Sequence, residues 1–232
     1  MFHRVNELWR VGYHADPLSV LIEYQGSGRF DDPQQERTVL YGSDNVETCI
    51  IESALPWRLH VDASYAQRTE PPERDSDWEL QQAELDDAER DRIIAMRPAH
   101  MPADLYDKAK VYVALAEPIV VLDLDDISVR RDLAQVPEVA LRMREHGLSD
   151  LDRSVLMGRY LDLTRTISGH LMRHPFAGHR FAGMRALSRH AGVSYILFED
   201  RYRLGTRMVG PINLTPEDPD VIKSALRLRL VP

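Results

Sequence analysis

Apolar and polar positions follow two rhythms along this chain, alternation and helical spacing, and each predicts an element. Val20–Tyr24 (VLIEY) is mostly apolar and predicts a strand. Gly26-Ser27-Gly28 then marks a turn, since two glycines permit positive φ. Asp31-Asp32-Pro33 punctuates the chain again, and Thr38–Tyr41 is a short β-type run. Residues 1–60 therefore read as short strands and turns followed by one helix. Ser43-Asp44 is placed to cap that helix, Glu47 sits in its first turn, and it runs to about Leu55, before Pro56. Residues 66–98 break the pattern with a mostly charged run and a thin apolar stripe of Trp78, Leu80 and Leu85. This stretch reads as a loop and a solvated helix inserted into the domain. Residues 110–124 suggest paired strands meeting across Pro118, both apolar and β-branched. Residues 137–173 are predicted helical, with Leu151–Met172 spaced like a helix packed on a sheet. VSYILFED, ending at Asp200, predicts a strong strand, and the tail EDPDVIKSALRLRL starts helically and ends extended. Strands and helices mix without a βαβ rhythm, so the expected class is α+β, one domain over residues 1–232.

Composition adds limits. The 232 residues carry 29 Lys+Arg against 37 Asp+Glu, a net charge of −8, which disfavours non-specific nucleic-acid binding. Hydrophobic residues at 44% and charged residues at 28% describe an ordinary globular chain. One cysteine, Cys49, excludes an intramolecular disulfide and any Cys-rich zinc site. No apolar run approaches membrane-spanning length, and MFHRVNELWR lacks the apolar stretch of a signal peptide. A soluble, cytoplasmic protein is expected.

Phosphate-binding G-x-x-x-x-G-K-[ST], dinucleotide G-x-G-x-x-G, G-x-S-x-G and H-E-x-x-H are all missing. His170 and His174 stand at i, i+4, but no carboxylate or cysteine sits at matching sequence spacing, so no metal site is expected. On the helix after Ser43, Val46, Cys49, Ile50, Ser53 and Ala54 share a broad face, with Ile51 and Leu55 opposite. Glu52 lies between Leu55 and Cys49, a carboxylate on a helix apolar around most of its circumference. It is either a surface acid, solvated or salt-bridged, or a group aimed into a cleft. Arg29 directly follows Gly28, where the backbone permits close approach and a guanidinium grips phosphate bidentately; an exposed hairpin arginine is the plainer alternative. Tyr41 closes the strand before the Glu52 helix, and Arg10 follows Trp9.

The order GSGRF…VLYGSDNVETCIIES, then GMRALSR and VSYILFED, resembles the RES domain family, named for Arg, Glu and Ser. The resemblance places the family's first arginine on Arg10, its glycine-flanked arginine on Arg29, its strand-end tyrosine on Tyr41, its helical glutamate on Glu52 and its serine on Ser188. Phe30 stands for the commoner tryptophan, and Ala186 stands where an aromatic residue is expected before the serine. The resemblance implies a fold similar to ADP-ribosyltransferases, with mixed β-sheets and flanking helices. It also implies a bacterial toxin paired with an Xre-type helix-turn-helix antitoxin and a tendency to homodimerise, while the acidic charge and the lack of a long apolar run lead to the expectation of no direct nucleic-acid or membrane binding. NAD is implied as substrate, with no cofactor. Glu52, Arg29 and Tyr41 are then the catalytic residues, and Arg10, Ser188 and Gly28 bind substrate. Water, phosphate or a protein side chain remains open as acceptor, and a non-catalytic binding module of the same fold is the alternative to an enzyme.

Overall fold

A computed structural model describes residues 2–20, 28–54, 99–157, 160–188, 192–228 and 230–232. Most of the expected Val20–Tyr24 strand and the whole 66–98 insertion lie outside the described residues, and so do Gly26, Ser27 and Leu55. In chain order the elements are β1 (Phe2–Tyr13), β2 (Val39–Gly42), α1 (residues 46–54), β3 (Ala99–His100) and β4 (Lys108–Asp123). They continue with α2 (Ile127–Leu133), α3 (Pro137–Glu145), α4 (Arg153–Met157), α5 (Leu161–Arg173), β5 (Gly183–Leu187), β6 (Val193–Phe198), β7 (Leu204–Asn213), α6 (Pro219–Leu228) and β8 (Leu230–Val231). The mixed sheet runs β1-β4-β5-β6-β2, and β7 also pairs with β4. Strands and helices are mixed as expected for α+β. Among the described residues no helix is long and apolar enough to cross a membrane.

Two strands differ from expectation for one reason, a bulge. β1 and β4 pair antiparallel, but the register slips between Val5↔Ile119 and Glu7↔Ala114. The slip lets Val5 and Leu8, three residues apart, both enter the same core cluster, which no period-two pattern permits. On β4 the skipped stretch includes Pro118, exposed with Ala116 and Glu117. Proline lacks the N–H a regular ladder needs, and the bulge removes that demand. The expected pair of strands across Pro118 is thus one continuous 16-residue strand. Its first half carries β7 on the edge away from β1, and its last three residues carry β5 there in parallel.

The sheet also curls. Trp9 and Ser43 exchange both backbone hydrogen bonds, 2.7 and 2.9 Å, so the end of β2 returns to β1. Val5, Leu8, Leu40, Val113, Ile119, Val121, Tyr195 and Leu197 pack together within this curl. On the opposite face, Leu163, Ile167, Leu171 and Met172 of α5 pack with Phe30, Leu122, Met184 and Ile196. A third cluster joins Ile50, Ile51 and Ala54 of α1 to Val221, Ala225 and Leu228 of α6.

The helical stretch expected over Leu151–Met172 is two helices, not one. Gly147 at φ +66° follows α3, Asp152 accepts from the Val155 N–H (2.9 Å) at the start of α4, and α5 begins afresh at Leu161. The cap of α1 also moves by one residue. Asn45 Oδ1 accepts from the Glu47 N–H at 2.8 Å, while Ser43 Oγ accepts from the Asn45 N–H.

Asp32 shows how a buried acid is held in this fold. It accepts from Arg173 Nη2 at 2.6 Å and from the N–H groups of Gln34, Glu36 and Arg37. Burial pushes its pKa up, but the Arg173 hydrogen bond and the backbone donors outweigh burial, and the carboxyl lies below its ordinary 3.8. A depressed folded-state pKa stabilises the fold above the ordinary aspartate value and loses that stabilisation as pH falls through the folded value. Denaturant midpoints measured at a series of pH values should therefore show Asp32→Asn clearly weaker than wild type at neutral pH. The gap should close on acidification below 3.8.

Candidate active site at one edge of the sheet

The site residues gather because two strands end together. β2 and β5 both run antiparallel to β6, with Gly42 opposite Tyr195 and Leu187 opposite Val193. Both therefore finish at the start of β6. α1 leaves from the end of β2, and Ser188 follows the end of β5, its N–H bonded to Gly192 O at 2.8 Å. Ser43 Oγ donates to Val193 O at 2.6 Å and fastens the two exits together.

Across this edge the Ser188 hydroxyl donates to Glu52 Oε1. The pair is separated by 136 positions in the chain. Glu52 is half-buried, while Cys49, Ile50, Ile51 and Ala54 around it are buried, so the helix is apolar on most sides. The carboxylate is thus part-exposed and bonded to a serine that is itself buried.

Tyr41 and the Arg29 loop form the second contact group. The Tyr41 hydroxyl donates to Asp31 Oδ1 (2.8 Å) and accepts from the Phe30 N–H (3.1 Å). Burial and then the Asp31 charge push its pKa well above the ordinary tyrosine value, so it stays a neutral phenol. Gly28 lies so close that a Cβ there would meet Tyr41 Oη at 2.5 Å and Asp31 Oδ1 at 2.6 Å. Glycine at this position serves the packing of the loop on Tyr41, and its N–H is taken by Asp31 Oδ2 at 2.7 Å. Arg29 donates through Nη1 to Leu156 O (3.1 Å), and its guanidinium lies 5.6 Å from the Phe30 ring centre.

Arg10 contacts the strand that carries Tyr41. Its guanidinium donates to the carbonyls of Pro17 (2.6 Å), Tyr41 (3.0 Å) and Ser19 (3.0 Å). Burial lowers its pKa, and no hydrogen-bonded carboxylate offsets that among these contacts. The geometry makes Arg10 a brace of the Tyr41 strand. Among the described residues no hydrogen bond or ion pair joins Glu52 to Arg29 or Tyr41. Cys49 lies close enough to Arg10 and Glu52 for their charges to act on its thiol in opposite directions.

Cys49 itself is no nucleophile here. Its Sγ donates to Trp9 O at 3.2 Å, and burial pushes the thiol pKa up to about 12. In a colorimetric thiol assay at neutral pH the native protein should react slowly and the denatured protein at once. Rapid stoichiometric reaction of the native fold would contradict this placement.

Several residues that build the site are ones the sequence pattern did not single out. Three side chains of α5 donate to three successive loop carbonyls: Arg165 Nε to Gly28 O (3.0 Å), Thr164 Oγ1 to Arg29 O (2.6 Å) and Ser168 Oγ to Phe30 O (2.6 Å). Asp31 holds Tyr41, and Asp32 meets Arg173. One signal was available: Thr164 and Ser168 are polar residues on the buried face of α5, and buried hydroxyls need partners.

The family model described as RES domain matches residues 7–117. This stretch is a RES domain. It contains Arg10, Arg29, Tyr41 and Glu52, whereas Ser188 and α5 lie beyond the matched residues and close on the RES domain from outside. The chain is also similar to the crystal structure of the M.tuberculosis MbcT-MbcA toxin-antitoxin complex, at 16% identity and a TM-score of 0.45 over 97% of this chain and 88% of that chain. A comparison with curated proteins finds no match.

Proposed function

We propose that this RES-domain protein consumes NAD by breaking the bond between nicotinamide and ribose, in the manner of a bacterial toxin enzyme. The observation that carries the reading is the hydrogen bond from Ser188 to Glu52. These are the serine and glutamate that the family resemblance selects, and they stand on separate elements far apart in sequence.

As the glycosidic bond lengthens, its electron pair moves to the pyridinium nitrogen and positive charge spreads over the ribose C1′ and ring oxygen. A carboxylate beside that centre stabilises the oxocarbenium-like transition state more than the ground state, which is the condition for rate enhancement. Glu52 is the group for this task, oriented through Oε1 by Ser188. Arg29, on a loop braced by α5, supplies charge for the pyrophosphate. The Tyr41 ring holds the nicotinamide or ribose face, its hydroxyl being committed to Asp31. Water then adds to C1′ and releases a proton. Water demands no additional recognition surface, which favours hydrolysis over phosphorolysis or protein modification. The same resemblance supports an Xre-type antitoxin as physiological partner.

Purified protein incubated with NAD should release nicotinamide in proportion to time and enzyme, and expression in bacteria should lower the cellular NAD pool. Intact NAD after prolonged incubation with folded protein, together with an unchanged cellular pool, would end this reading.

A further inference from the structure

Away from this edge, at the far end of α5, a carboxylate arrives that sequence spacing could not show. His170 lies in the last turn of α5, and His174 is the residue that ends it. Glu138, in the first turn of α3, comes from 32 positions earlier and accepts from or shares a proton with His170 Nδ1 at 2.6 Å. The two imidazole rings lie 5.1 Å apart. One ligand atom from each of the three side chains falls within 4.8 Å of the others.

We infer that Glu138, His170 and His174 form a binding site for a divalent transition-metal ion of the zinc class, bridging α3 and α5. Two imidazoles and one carboxylate are a donor set suited to zinc, and three protein ligands leave one position for water. A zinc ion about 2.0–2.1 Å from each donor needs donors roughly 3.4 Å apart, so the 2.6 Å Glu138–His170 contact opens and the wider spacings close, adjustments that torsions of the exposed Glu138 and His174 can supply. The other end of the same helix crossing gives the contrast. There His146 meets Asp162 at 2.8 Å as a two-member pair. At the Glu138 end a third donor, His174, shares the space, which a simple acid–imidazole pair does not require. The metal would replace the proton between Glu138 and His170 and fasten the end of α5, whose Arg173 holds the buried Asp32.

Calorimetric titration of the full chain with Zn²⁺ tests this independently of NAD consumption. One ion per chain should bind, and Zn²⁺ should raise the thermal midpoint. Co²⁺ at the site should give a visible absorption band of low-coordinate geometry. Ligand removal should cost at least the 10–100-fold in affinity seen when outer-shell partners are lost, in both His174→Ala and Glu138→Gln. His174 is exposed, and Gln retains an acceptor for His170, so both variants should keep the wild-type circular dichroism spectrum. Absence of one-to-one binding by wild type, or variants binding as tightly as wild type, would overturn the site.

Discussion

Glu52→Gln should reduce nicotinamide release by about 10²–10³-fold, the loss typical of removing one electrostatic stabiliser of a transition state. The substitution keeps size and an acceptor for the Ser188 hydroxyl, so the hydrogen bond across the sheet edge survives. Only the charge disappears, and charge is what a cationic sugar requires. The expected signature is a fall in kcat at near-constant KM, because the substitution leaves Arg29 and Tyr41, the proposed substrate contacts, untouched. Ser188→Ala should cost less, on the order of tenfold, as the carboxylate remains but is no longer oriented. Full turnover in Glu52→Gln would show that another group does the chemistry. Equal and large increases of KM in both variants, with kcat unchanged, would point to a binding role for the pair.

The largest expected loss of stability lies elsewhere, at Lys110. This buried lysine of β4 reaches Asp218 at 2.8 Å and Asp220 at 2.6 Å, at the N-terminal end of α6. Burial pulls its pKa down, but the hydrogen bonds and charges of Asp218 and Asp220 outweigh burial and raise it. Lys110→Met would leave Asp218, itself buried, without its cation. Breaking one side of a buried ion pair costs about 3–5 kcal/mol. Urea unfolding should show that loss as an earlier midpoint with an unchanged slope. Lys110→Met combined with Asp218→Asn should recover a good part of it, since the more deeply buried uncompensated charge is then gone and Asp220 is partly solvated. A single variant as stable as wild type would mean that Asp218 is solvated rather than buried.

How much of this was legible in the sequence depended on whether a local rule or a distant partner decided the outcome. β2 and β6 followed their continuous apolar runs because alternate residues pack into the cores on both faces of the sheet, and the tail helix α6 followed its spacing because one face packs on one core. The apolar circumference of the Glu52 helix was readable for the same reason. β1 was not, because its bulge breaks the alternation that marks a strand. The long exposed β7 was missed because it pairs with β4 through its backbone while its side chains stay out of the core. At the site, residue types and order pointed to Arg29, Tyr41, Glu52 and Ser188, and the structure joins Glu52 to Ser188 directly. The α5 donors were hidden since a hydrogen bond from Thr164 to Arg29 O spans 135 positions and leaves no local trace. Glu138 was hidden likewise, brought to His170 by helix packing rather than by spacing.

Gly42 looks like a mere spacer between Tyr41 and the serine that follows. A Cβ at that position would meet Leu8 Cδ1 at 2.5 Å and Trp9 O at 2.9 Å, just where β2 returns to β1. The Trp9 carbonyl is a shared rivet, taking the Ser43 N–H on one side and the Cys49 thiol of α1 on the other. Any side chain at position 42 would wedge this joint open and swing the helix that bears Glu52. The smallest residue in the strand therefore sets the aim of the acid ten positions later.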